Sequence, residues 1–121
     1  MPAEPRYLHT LFFAYVIGVL VLMFAPVPGT APSVPQFDKV VHVAVFFGFA
    51  GLLYWDRRAT PGATTTGVAF ISMAAAGLVE LVQIVLPYRS GSAWDFVAGA
   101  LGAVAGVLAM HQLLRMAQRE T

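Results

Sequence analysis

Four apolar stretches alternate along the chain with short segments rich in proline, glycine and charge. The first, Leu8 to Ala25, contains one histidine and no formal charge. The second, Val40 to Trp55, has His42 as its ionisable group. The third, Ala63 to Leu86, carries a single charge, Glu80, and the fourth, Phe96 to Leu114, a single histidine, His111. A helix that spans a bilayer needs roughly 17 to 25 such residues. The second stretch is the shortest, and it reaches span length if its helix begins near Gln36. The pattern therefore predicts an all-α fold, a bundle of four transmembrane helices over about 8–25, 37–55, 63–86 and 94–114, in one domain covering residues 1–121.

The polar segments behave as connections. Pro26, Pro28, Pro32 and Pro35 make 26–37 an extended, partly polyproline-II loop, because proline fixes φ and removes a donor. Asp56 to Gly62 ends on Pro61 and Gly62, and a third loop runs from Pro87 to Ala93. The first apolar run exceeds the roughly 7 to 15 residues of a secretory signal core, and Pro32 follows the small-residue stretch at Ala31. It is read as a retained first span.

Composition gives the same solvent. The chain is 59% apolar and 11% charged, against about 25% charged in ordinary soluble domains. A formal charge of +1 offers no field for a nucleic acid or other polyanion. The chain has no cysteine, which excludes disulfides and thiol chemistry. Lysine and arginine set the orientation. Arg6, Arg57, Arg58, Arg115 and Arg119 fall on one side of the predicted bundle, and Lys39 and Arg89 on the other. That split puts both termini and the second loop in the cytoplasm of a multi-pass plasma-membrane protein.

Against this apolar background, Asp38, Lys39, His42, Glu80, Gln83, Arg89 and Asp95 all map to the outer half. At about 1.5 Å rise per residue, His42 and Glu80 each lie roughly 9 Å below their helix tops, at one depth on different helices. Asp38 and His42 share a helix face, as do Glu80 and Gln83. A carboxylate in hydrocarbon is costly unless paired or neutral, so Glu80 is expected to face the bundle with His42 or Arg89 as partner. Lys39 and Arg89 are expected to take a phosphate or carboxylate from outside, Arg89 as a fork and Lys39 as a point charge. Two blander readings stand beside this: Lys39 snorkelling to the headgroups, and an Arg89–Asp95 salt bridge closing the loop. Ser92 is a candidate N-cap for the last helix. Gly99, Gly102 and Gly106 form a small-residue stripe that admits close helix approach, leaves room beside Glu80 and His42, and offers a route to self-association. His42, Glu80 and Asp95 are acceptable zinc ligands by type, but no HExxH or paired-histidine spacing accompanies them, and no metal or cofactor is assigned. His9 and His111 are weaker candidates, placed as neighbours near the cytoplasmic ends of the first and fourth helices.

Three blocks, DKVVHVAVF from Asp38, ELVQIVLPYR from Glu80 and DFVAGALGAVAG from Asp95, resemble the VanZ-like family of small bacterial membrane proteins in order and spacing. The resemblance implies a four-helix membrane protein. The founding member of that family is associated with low-level resistance to the glycopeptide teicoplanin. The family pattern carries asparagine four residues after the last aspartate, where this chain has Gly99, so a side-chain amide is missing from the site.

The functional expectation is a non-catalytic membrane protein. Its outward polar pocket, contacted by Lys39 and Arg89 and held by Asp38, His42, Glu80, Gln83 and Asp95, binds membrane lipids or an anionic or amphiphilic envelope molecule such as a lipid-linked phosphate or a lipoglycopeptide. The alternatives are a membrane enzyme using His42 and Glu80 as an acid–base pair on a lipid headgroup, and a purely structural membrane partner.

Overall fold

A computed structural model describes residues 6–25, 37–87 and 92–120, with the backbone alone for residues 6–8, 37 and 38. Four helices follow one another: α1 Arg6–Phe24, α2 Phe37–Arg57, α3 Thr65–Val85 and α4 Ala93–Arg119. The described residues contain no strand. Three helices are long and apolar enough to cross a membrane, over Lys39–Arg57, Thr65–Val85 and Ala93–Arg119, and His9–Phe24 forms a shorter apolar helix.

Local chemistry sets the helix ends. The α3 N-terminus is capped by Thr64, whose hydroxyl accepts from the Gly67 N–H at 2.9 Å. Before it the chain turns through Gly62 at φ +85°, a conformation that glycine reaches without steric cost. Helix α3 stops at Val85, shortly before Pro87, because a proline disfavours helical geometry in the residue ahead of it. Helix α4 runs past the predicted end at Leu114, to Arg119. The added stretch, Arg115 to Arg119, is arginine, methionine, alanine and glutamine, all strong helix formers. The apolar span ends there, but the helical backbone need not.

Inter-helix contacts fix the directions. Side chains of α1 meet α2 in reverse order: His9 reaches Asp56, Phe12 stacks near Phe49, and Tyr15 donates to the Val45 carbonyl at 2.6 Å. Gln83 of α3 reaches Met23 at the far end of α1, so α3 runs parallel to α1. In α4, Gly102 lies against Val43 and Gly106 against Phe47, so α2 and α4 run parallel. The bundle is therefore up-down-up-down. The start of α1, the end of α2, the start of α3 and the end of α4 share one end.

The α2–α4 seam is built by glycine. A Cβ on Gly102 or Gly106 would collide with the backbone carbonyl of Val43 or Phe47, and Gly51 of α2 faces the Gly106 carbonyl from the other side. Removing side chains here lets the backbones approach, the usual device where lipid provides no hydrophobic drive between helices. The stripe expected to open space beside Glu80 and His42 thus brings α4 onto α2 instead. Within the chain the stripe is buried, with Gly102 and Gly106 against the α2 backbone. Phe46, Met23 and Val107 are the largest fully buried apolar side chains, at the centre of the core. Outward faces stay apolar, with Phe13, Ile17, Val21, Phe70, Ile71, Leu78, Leu81, Val85, Leu101 and Leu108 exposed. A soluble domain would cover such a belt with polar residues, whereas hydrocarbon tolerates it.

Candidate functional site

The polar residues of this apolar bundle collect at its two ends. At the end formed by the start of α2, the end of α3 and the start of α4, three buried ionisable side chains meet: His42, Glu80 and Asp95. Each comes from a different helix. Lys39, His42 and Phe46 follow at helical spacing on α2, so the face that buries Phe46 in the core also carries His42 inward. Ala76, Val79, Glu80 and Gln83 make the buried face of α3. Asp95 sits in the first turn of α4, where a carboxylate is favoured by the helix dipole.

Second contacts hold these groups in place. His42 Nε2 lies 3.5 Å from Glu80 Oε2, both side chains being 5% exposed. The other Glu80 oxygen, Oε1, accepts the backbone N–H of Ser92. Ser92 also caps α4, its hydroxyl accepting from the Asp95 N–H at 3.1 Å. One residue thereby anchors the α4 N-terminus and fixes the Glu80 carboxylate. Lys39 Nζ lies 3.7 Å from Asp95 Oδ1, with the lysine side chain 37% exposed. Taking one ligand atom from each of His42, Glu80 and Asp95, all three lie within 4.8 Å of one another.

The sequence-predicted residues divide as follows. The structure brings together His42, Glu80, Asp95 and Lys39. It sends Gln83 to α1 instead, where Nε2 donates to the Met23 carbonyl at 2.8 Å and lies 3.7 Å from the Met23 sulfur. Asp95, expected to pair with Arg89 if the loop closed on a salt bridge, has Lys39 as its described cation. Arg89 and the side chain of Asp38 lie outside the described residues. Gly99 faces the Phe46 ring and the Ala76 methyl, each 3.1 Å from where its Cβ would stand. The volume that an asparagine amide would need is filled by apolar atoms in this chain.

The opposite end holds polar pairs that sequence reasoning does not find. His9 Nδ1 lies 2.7 Å from the buried carboxylate of Asp56, and Arg57 Nε lies 3.5 Å from the same group. Tyr54 and His111 share a 2.8 Å hydrogen bond. His9 and His111 thus engage different partners and do not form the neighbouring pair expected of them. Asp56 reads as loop in the sequence because it follows Trp55. Its position one turn after the buried Leu53, on a helix that continues to Arg57, is the signal that it lies on the bundle side.

Beside the three-residue cluster, the outer faces of α3 and α4 form an open groove of about 690 Å³, lined by Phe70, Met73, Gly77, Leu81, Ile84 and Phe96 with Glu80 among them. A smaller groove of about 370 Å³ runs along α2 from Lys39 through Val43 to Phe47.

These features define a class, a small helical membrane protein with ionisable groups gathered at one end of an apolar bundle. Residues 27–115 match the model of the VanZ/LLP1 family, and the chain belongs to that family. It is 33% identical over 113 residues to the uncharacterized protein C11E3.10 of the fission yeast Schizosaccharomyces pombe, covering 86% of this chain and 67% of the relative. The likeness is therefore not confined to bacteria, as the resemblance alone implies. No solved structure matches the chain.

Proposed function

We propose that the chain is a multi-pass membrane protein that holds an anionic amphiphile at the end carrying His42, Glu80 and Asp95, facing outward from the plasma membrane with both termini cytoplasmic. The observation that carries this reading is the groove along α3 and α4, apolar throughout its length but for Glu80. An apolar track that meets a buried polar cluster suits a molecule with one greasy and one charged part. The acyl portion would lie along Phe70, Leu81 and Phe96. The headgroup would reach Lys39, whose ammonium is partly exposed and 3.7 Å from Asp95, beyond ordinary hydrogen-bond length and able to turn toward an anion. Arg89, shortly beyond Leu86 in sequence, would add a forked donor for phosphate or carboxylate. Lipid-linked phosphates and lipoglycopeptides both present that chemistry, and a link to glycopeptide resistance would follow from action at this site. The relative in fission yeast favours a membrane amphiphile of wide occurrence over one confined to a bacterial wall.

A second reading rests on the pair His42 and Glu80. Two buried titratable groups 3.5 Å apart can serve as acid and base on a headgroup once substrate tightens their geometry. One experiment addresses both. Native mass spectrometry of the purified protein, equilibrated with equal amounts of an anionic and a zwitterionic lipid, should show retention of the anionic one by wild type. Lys39→Ala and Arg89→Ala should lose that preference while their helix content is kept. Equal retention of both lipids by all three proteins would remove the cations from the site. Conversion of the bound lipid by wild type but not by His42→Ala would replace binding with catalysis.

A further inference from the structure

The lipid reading assigns no direct role to the buried carboxylates themselves. Glu80 and Asp95 are each 4% exposed, they come from different helices, and their ligand atoms approach within 4.8 Å of each other and of a His42 ring nitrogen. Two carboxylates this close in a low-dielectric interior repel, and each resists leaving water. Lys39 supplies one positive charge, and supplies it to Asp95, at 3.7 Å. Asp95 Oδ1 is buried and receives no hydrogen bond among the described residues, so its acceptor capacity remains open.

We propose that His42, Glu80 and Asp95 are the three protein ligands of a single divalent transition-metal ion of the zinc type. This inference goes beyond the lipid reading, and neither requires the other. The donor set fits: an imidazole nitrogen and two carboxylate oxygens suit zinc and its first-row neighbours, and three protein ligands leave a position open. Charge is compatible as well, since a divalent cation balances the formal charge of two carboxylates. The separation of His42 Nε2 from Glu80 Oε2, 3.5 Å, is long for a hydrogen bond. It matches the edge of about 3.3–3.6 Å between two ligands bonded to one tetrahedral ion at about 2.0–2.2 Å. The outer contacts fit last. Glu80 is oriented by the Ser92 N–H on its second oxygen, leaving Oε2 turned toward His42, which is how ligating carboxylates are commonly held. Sequence spacing carries no mark of this site, because motifs such as HExxH report ligands on one helix, whereas these stand on three. With the ion in place, Lys39 is no longer needed by Asp95 and its ammonium can turn outward.

The test uses the full chain, purified in detergent with a tag that contains no histidine, stripped with chelator, incubated with Zn²⁺ and freed of unbound ion by gel filtration. Wild type should retain about one zinc per chain by elemental analysis, and its melting temperature should rise on adding Zn²⁺ and fall back with chelator. Glu80→Gln and Asp95→Asn should lose the ion, and the double variant His9→Ala/His111→Ala, altered at the opposite end, should keep it. Folded wild type with no zinc above the protein-free control would overturn the proposal. So would zinc that is lost from the His9/His111 variant and kept by Glu80→Gln. Should the carboxylate variants fail to fold, zinc-edge X-ray absorption on wild type decides alone. One imidazole among oxygen ligands is expected, and two or more imidazoles would overturn the assignment.

Discussion

Gly102 of α4 lies directly against the backbone carbonyl of Val43 in α2, with no space between them for a Cβ. One turn on, Gly106 repeats the contact with Phe47. This seam sets how close α2 and α4 come, and so sets where His42 on α2 stands relative to Asp95 on α4. Gly102→Val should therefore cost more than an ordinary overpacking change, which is typically about 1–3 kcal/mol, because the obstacle is backbone rather than a flexible side chain. Gly18 in α1 has nothing within 4 Å of its Cβ position. Gly18→Ala should be neutral or stabilising by up to about 1 kcal/mol through helix propensity. Thermal unfolding in one detergent measures both, and equal effects at the two glycines would mean that the seam does not limit helix approach.

Much of this architecture is legible in the chain, and the failures have physical causes. Four apolar runs give four helices because span length and hydropathy are strong signals in hydrocarbon. The meeting of His42 with Glu80 follows from depth alone: two polar groups at one level of an apolar bundle gain by finding each other. Depth does not say where Gln83 turns. It sits one turn from Glu80 on the same buried face, but that face is wide enough to touch both α1 and the cluster, and α1 takes it. Nor does periodicity tell that Gly102 and Gly106 admit a neighbouring backbone and not a ligand, since both uses ask only for a missing side chain. Asp56 escapes notice because a charge after an apolar run reads as the start of a loop, whereas here it is the last inward position of the helix.

Gln83 ties α3 to α1, and this link tests how α1 is held. Its Nε2 donates to the Met23 carbonyl at 2.8 Å, with both residues buried. That carbonyl belongs to the last turn of α1, which lacks an intrahelical donor. Gln83→Leu should destabilise by about 0.5–1.5 kcal/mol through the lost hydrogen bond. It should also raise amide exchange at the end of α1 more than in α4, which does not share the contact. Uniform change across all helices, or none in α1, would show that α1 is fixed by apolar packing alone.

The last prediction concerns which way the bundle stands. Helix direction alternates, so Arg57, Arg58, Arg115 and Arg119 gather at one end, and the cluster of His42, Glu80 and Asp95 at the other. Short positively charged segments stay on the cytoplasmic side. The arginine-rich end should therefore face inward and the cluster outward. The chain has no cysteine, so single cysteines can be introduced without removing any. Thr60 and Glu120 are exposed at the arginine-rich end, and Ala93 is exposed at the start of α4. In intact cells, a membrane-impermeant maleimide should label Ala93→Cys, while Thr60→Cys and Glu120→Cys should react only after permeabilisation. Labelling in the reverse pattern would turn the cluster toward the cytoplasm, and an envelope ligand arriving from outside could not then reach Lys39. Opposite accessibility of Thr60→Cys and Glu120→Cys would mean that α3 and α4 do not both cross.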